Sequence, residues 1–149
     1  SQDLILLTDV LEHIEDDQLA LENMHQACKP GGGIILTVPQ HQFLWSALDD
    51  YAYHKRRYDR EGMLEKIERS GFILRRATSF VSLLLPLMII SRLGKRKHFD
   101  ASNPSEFNIS SAVNNLLEAV LSIERFLIQR RFSFPAGGSL MIIAQKEAK

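Results

Sequence analysis

The chain has 149 residues, 45% hydrophobic and 24% charged, which suits one soluble domain with a real core. Eighteen basic and eighteen acidic residues cancel, which argues against a globally basic nucleic-acid binder, and no nucleic-acid partner is expected. A single cysteine, Cys28, excludes an internal disulfide framework and suits a reducing cytosol. It sits at a helix end among apolar neighbours and reads as a buried thiol.

In chain order, "DLILLT" (3–8) is a short continuous apolar run, the pattern of a strand buried on both faces. "EDDQLALENMHQACKPGG" follows as a helix. Acids fill its first turn, Ala20, Met24, Ala27 and Cys28 share a face, and Lys29-Pro30-Gly31 stops it. "GIILTVP" (33–39) is a second buried strand, so the first three elements form a βαβ unit with parallel strands. Residues 40–58 are a long polar and aromatic connection. Asp59 caps a helix through Ser70 with Leu64 and Ile67 inward, and Gly71 supplies a left-handed stop. "FILRRATSF" (72–80) is a third strand with a wetter face.

After that strand the alternation breaks. Residues 80–93 read as an apolar helix kinked or started near Pro86, and 94–108 as a loop. Residues 110–130 read as a long amphipathic helix with Val113, Leu116, Leu117, Val120, Leu121, Leu127 and Ile128 on one stripe. "GGSLMIIAQK" (137–146) is a last buried strand. The apolar run at 80–90 is broken by Pro86 and falls short of the roughly 20 residues that span a bilayer. No secretory leader is visible, because the start is acidic and then apolar, so a cytoplasmic location is expected.

The architecture expected from these elements is a three-layer α/β sheet with an inserted helical pair at 80–132. Ligands in such sheets sit beyond the carboxyl ends of the parallel strands. That rule selects the loops at 9–13 and 39–58, on one edge of the sheet. It gathers Asp9, Glu12, His13, Trp45, Asp49, Asp50, Tyr53 and His54 at one rim.

The stretches "DLILLTDVLEHIEDD" and "CKPGGGIILTVP" resemble the second half of a class I S-adenosylmethionine-dependent methyltransferase. "HKRRYDREGMLEKIERSGF" resembles the segment that follows in that family, and "SLMIIAQK" its last, antiparallel strand. The resemblance covers residues 1 to about 80 and 137–146, and it implies the carboxy-terminal portion of a Rossmann-like methyltransferase sheet. The implied cofactor is S-adenosylmethionine. By that likeness Asp9, Val10 and Leu11 lie beside its adenosyl or methionine part, and Glu12 and His13 face the transfer site or brace the loop.

The family's glycine-rich turn and its ribose-binding acid come earlier in the domain, and neither occurs here. The longest glycine cluster, "KPGGG", ends a helix and starts a strand, the reverse of a nucleotide cradle. The expectation is therefore the carboxy-terminal part of a longer enzyme, with an exposed apolar strand edge and weak cofactor binding by this chain alone.

Methyl transfer from a sulfonium is an in-line displacement that needs positioning, plus a base where the acceptor is a hydroxyl or amine. His13, His41 and His54 belong to the expected rim. His54 is the preferred base, with His13 the second candidate. Lys55, Arg56, Arg57 and Tyr58 follow His54 and suit an anionic acceptor. Trp45, with Phe43 and Leu44, reads equally as a lid over the acceptor or as core packing. Asp49 and Asp50 read as capping or solvated acids. No H-x-x-x-H or C-x-x-C spacing occurs, so no metal site is expected.

The expected acceptor is small or carrier-linked. An apolar helix followed by "RLGKRKH" has the composition of a membrane-surface contact through 80–98, against the simpler reading of a packed helix and a solvated basic loop. Two other functions fit the residues less well. One is a non-catalytic α/β interaction module derived from a methyltransferase, and the other is half of an NAD-dependent dehydrogenase. The oligomeric state is not encoded in any feature of the sequence.

Overall fold

The computed structural model describes residues 1–93 and 110–148. Strands β1 (Gln2–Thr8), β2 (Cys28–Pro39), β3 (Ile73–Phe80) and β4 (Ser139–Gln145) form one sheet in the order β1-β2-β4-β3. β1 and β2 are parallel, with Leu4 opposite Gly33 and Thr8 opposite Thr37. β4 is antiparallel to both β2 and β3, so β3 runs the same way as β1 and β2. Thr8, Pro39 and Phe80 therefore end at one edge of the sheet, as the sequence pattern required for the first two.

Helix α1 (Asp17–Ala27) begins at Asp16, whose carboxylate accepts the Leu19 N–H at 3.0 Å. It stops earlier than the Lys29-Pro30-Gly31 signal suggests. Cys28 is already extended, because Gly31 (φ 78°) bends the chain and donates its N–H to the end of the chain beyond β4. Gly33 follows, where a Cβ would strike the Ala144 carbonyl across the sheet, so the close approach of β2 and β4 needs a glycine there. Of the expected inward face of α1, Cys28 is buried and Ala20 and Met24 pack partly against the core, whereas Ala27 is exposed and Leu21 is the fully buried residue.

Helix α3 (Arg60–Arg69) starts at the expected cap, with Asp59 accepting the Gly62 N–H at 2.7 Å. Met63 and Ile67, four apart on one face, are fully buried, and Leu64 packs only partly against the core. Gly71 (φ 92°) ends the helix as read. Together α1 and α3 cover one face of the sheet, where Leu7, Ile34, Leu36, Val38, Leu140 and Ile142 form the core. Cys28 is a buried free thiol, as expected.

The opposite face differs from expectation. β1 is an edge strand, in keeping with the exposed apolar edge expected, but Leu4 and Leu6 are 56% and 64% exposed, so the strand is not buried on both faces. An apolar run records what a strand is built to contact, and among the described residues nothing pairs with the outer side of β1.

The helical pair is present as α4 (Leu85–Leu93) and α5 (Ser111–Gln129), and α4 lies against the Gln42–Leu44 turn that precedes the short helix α2 (Ala47–Tyr51). Pro86 sits in the first turn of α4, where a missing N–H costs nothing. The expected apolar stripe of α5 is buried only in part: Leu117, Val120, Leu127 and Ile128 are half-buried, Val113, Leu116 and Leu121 are exposed, and the helix's fully buried residue is Glu124. Glu124 accepts the Ser82 and Leu83 N–H groups at 2.8 Å each, which ties α5 to the turn just before α4. The loop read at 94–108 lies outside the described residues. No described helix is long and apolar enough to cross a membrane.

Candidate functional site

At the carboxyl end of β1, Asp9 adopts a left-handed backbone (φ 52°) and donates its N–H to Thr37 on β2. Aspartate tolerates this conformation better than a branched residue does, and it turns the chain out of the sheet. Asp9 and Val10 are exposed at the rim. The single 3-10 turn Leu11–His13 follows and splits its side chains. Leu11 points into the core and presents no side-chain surface to a ligand, whereas His13 is exposed. Glu12 is fully buried, and neither of its carboxylate oxygens has a hydrogen-bond partner among the described residues. Burial pushes its carboxyl above the usual glutamate range.

The second loop leaves β2 through Gln40, which bridges in parallel to Tyr58, and returns through α2. Its centre is Asp49. Ser46 and Asp49 form a capping box at the start of α2. The same carboxylate accepts Arg57 Nε at 2.8 Å, Arg57 Nη2 at 3.0 Å and His54 Nδ1 at 2.9 Å. Burial opposes its charge, but the hydrogen bonds from Arg57 and His54 hold it below the usual aspartate range. With Nδ1 fixed on Asp49, His54 Nε2 faces Glu12 Oε1 at 3.9 Å, and its ring stands edge-on to His13 at 4.8 Å. The Lys55 N–H donates to the Glu12 carbonyl at 2.8 Å and joins the two loops directly.

A second polar knot lies behind the rim. The Tyr58 hydroxyl is 2.9 Å from Asp17 Oδ2 and 3.1 Å from the Leu11 carbonyl. Lys66 reaches Asp17 at 2.8 Å, and Arg56 reaches the same carboxylate at 3.2 Å. Burial works against the Asp17 charge, yet hydrogen bonds from Lys66 and Tyr58 hold its carboxyl below the usual range. Burial and the adjacent Asp17 push the Tyr58 phenol well up.

The structure thus brings Glu12, His13, Asp49 and His54 together at one rim. Arg57 is turned inward onto Asp49 and the Gln40 carbonyl, Tyr58 is buried, and Arg56 binds Asp17 and the Glu15 carbonyl. These three brace the loops in this structure. Trp45 donates Nε1–H to Asp50 at 2.8 Å, and Tyr53 is 85% exposed. Phe43 and Leu44 divide, with Leu44 buried in the molecule and Phe43 exposed and stacked on His41.

Sequence spacing missed one grouping. Glu12, His13 and His54 each offer a donor atom, and these atoms lie within 4.8 Å of one another. A search for short histidine repeats cannot find a set whose third member is forty residues away across a loop. The rule that puts both loops at one sheet edge is the signal that finds it.

Residues 1–36 match the methyltransferase domain family. No curated protein matches the chain. Among solved structures, an S-adenosylmethionine-dependent methyltransferase from Mesorhizobium loti is 15% identical with a TM-score of 0.54, covering 97% of this chain and 62% of its own. One from Archaeoglobus fulgidus is 19% identical with a TM-score of 0.52, covering 97% and 59%. The 4+2 cyclase SpnF is 18% identical with a TM-score of 0.53, covering 99% and 51%. The chain therefore spans between about half and three-fifths of the length of these structures, and at such identities the likeness is one of fold. Motif and fold together make the chain similar to the class I S-adenosylmethionine-dependent methyltransferases, over the portion of the domain from the strand before the Asp9 loop to the last antiparallel strand.

Proposed function

We propose that the protein is an S-adenosylmethionine-dependent methyltransferase, acting on a small or carrier-linked acceptor. The observation that carries this reading is the position of the methyltransferase-matching segment. Its loop, from Asp9 to His13, leaves the carboxyl end of a parallel strand pair, where open α/β sheets hold their ligands. In this reading Asp9 and Val10 lie along the cofactor, and the acceptor meets the rim at His13 and His54.

The cofactor supplies the electrophilic methyl group. The chain's own residues position the acceptor and receive its proton. With Nδ1–H directed at Asp49, the lone pair of His54 sits on Nε2, turned toward Glu12 and the exposed His13. An acceptor hydroxyl or amine placed there can pass its proton to His54 Nε2 as the methyl group arrives, while Asp49 stabilises the resulting imidazolium. Asp49 is itself held by Arg57, so the base is set by a rigid relay across the loop.

The test is ligand-dependent thermal stability of the full-length gene product with S-adenosylhomocysteine and, separately, with NAD. S-adenosylhomocysteine at a hundredfold excess over its dissociation constant should stabilise the fold by about 2.7 kcal/mol. Asp9→Asn, which tolerates the same left-handed backbone, should weaken that gain without lowering the unliganded melting temperature. Stabilisation by NAD alone would replace this reading with a dehydrogenase. No response to either would support a non-catalytic module.

A further inference from the structure

We propose that Glu12, His13 and His54 form a binding site for one divalent first-row transition metal ion of the zinc type. The proposal does not depend on the methyltransferase reading, but the two give the one free lone pair of His54 different uses: with a metal bound, Nε2 is a ligand and no longer receives the acceptor's proton. Its first support is geometric: a carboxylate oxygen and two imidazole nitrogens lie within 4.8 Å of one another. Donors on a shared zinc ion each stand about 2.0–2.2 Å from it. The exposed His13 ring can close the remaining gap by rotation, whereas Glu12 and His54 are held by the structure around them.

The second support is the state of Glu12. Its side chain is fully buried, and both oxygens lack a hydrogen-bond donor among the described residues. A desolvated carboxylate without a partner is costly, and buried charges are normally paired or bound to metal. The neighbour it does face is His54 Nε2 at 3.9 Å, the nitrogen whose companion Nδ1 already donates to Asp49. Two lone-pair sites thus point at one space. A cation fits between them.

The third support lies behind the histidine. Metal-binding histidines almost always donate their other ring N–H to a carboxylate or carbonyl, which fixes tautomer and orientation. Asp49 does this for His54 at 2.9 Å, and Arg57 and Ser46 in turn lock Asp49. Asp49 is a positioning residue for the site. Two imidazoles with one carboxylate favour zinc-like ions over magnesium or calcium, which prefer oxygen ligands throughout. Three protein donors with the open side at His13 leave coordination positions for water or for an oxygen of a bound ligand.

The experiment is calorimetric titration of Zn²⁺ into the full-length gene product after chelator treatment, with Co²⁺ absorption as a spectroscopic readout. We expect one equivalent of zinc and visible cobalt bands of a four- or five-coordinate site. His13→Ala, at an exposed position, should keep the metal-free melting temperature and weaken zinc binding at least tenfold. His54→Ala and Glu12→Gln should do the same to binding, and Asp49→Asn should weaken it by roughly 10- to 100-fold. No stoichiometric zinc uptake would overturn the proposal. So would an equivalent bound equally well by the His13 and His54 variants, or a His54 ring carrying protons on both nitrogens in the zinc-loaded protein. Binding of S-adenosylhomocysteine to the metal-free protein is read separately, so failure of either reading leaves the other standing.

Discussion

Asp17 and Glu12 show how opposite surroundings treat two buried carboxylates. Asp17 is met by Lys66, Tyr58 and Arg56, and these contacts hold its carboxyl below the ordinary value of 3.8. A lowered value in the fold means that its stabilisation is present above that ordinary value and is lost as pH falls through the lowered one. Asp17→Asn should therefore cost about 2 kcal/mol at neutral pH, with the gap to wild type closing in acid; denaturant melts at several pH values measure it. Glu12 has the reverse sign. Its carboxyl is raised above 4.5 by burial, so its contribution to stability is intact below that value and declines as pH rises through the raised one. In metal-free protein, Glu12→Gln should be neutral in acid and stabilising at neutral pH. A melt in which the variant is less stable at neutral pH without metal would contradict this. Neither contrast was legible in "LEHIEDD", because both acids sit in the same acidic run and only the fold gives one of them cations.

Elements were more readable than residues. Apolar runs bounded by acids, prolines and glycines mark the strand-helix-strand unit, and Asp59 and Gly71 mark both ends of α3 as found. The start of β2 was not readable, since Lys29-Pro30-Gly31 carries a helix-stop signal while the chain has already joined the sheet. The α5 stripe was only partly covered, for a related reason. Periodicity identifies an apolar face, but it does not supply the surface that face would cover, and here Glu124 makes the inward contact. A sharp check of element-level packing is Gly71. Its φ of 92° and the His25 ring 3.0 Å from a would-be Cβ make Gly71→Ala both strained and crowded. It should cost about 1–2 kcal/mol in chemical denaturation. An unchanged midpoint would mean that the helix end and His25 adjust freely.

At the scale of the whole molecule, the candidate site is a product of strand direction. Parallel β1 and β2 end together, so two loops far apart in sequence meet, and the Lys55–Glu12 main-chain hydrogen bond closes them at 2.8 Å. That meeting was legible from the order of elements alone. What was not legible was which side chains the meeting would consume. Arg57 and Tyr58 were read as acceptor-facing, and the structure instead gives them to Asp49 and Asp17 as braces. The exposure of Leu4 and Leu6 likewise depends on what covers their face of the sheet, which no local pattern in "DLILLT" records.

The central claim is that the Asp9–His13 turn lines a cofactor pocket at this edge. Its most direct test is backbone hydrogen–deuterium exchange of the full-length protein with and without S-adenosylhomocysteine. The account predicts that the ligand slows exchange at residues 9–13, with the surface of α5 unchanged. Binding that leaves 9–13 unprotected, while slowing exchange elsewhere, would contradict it.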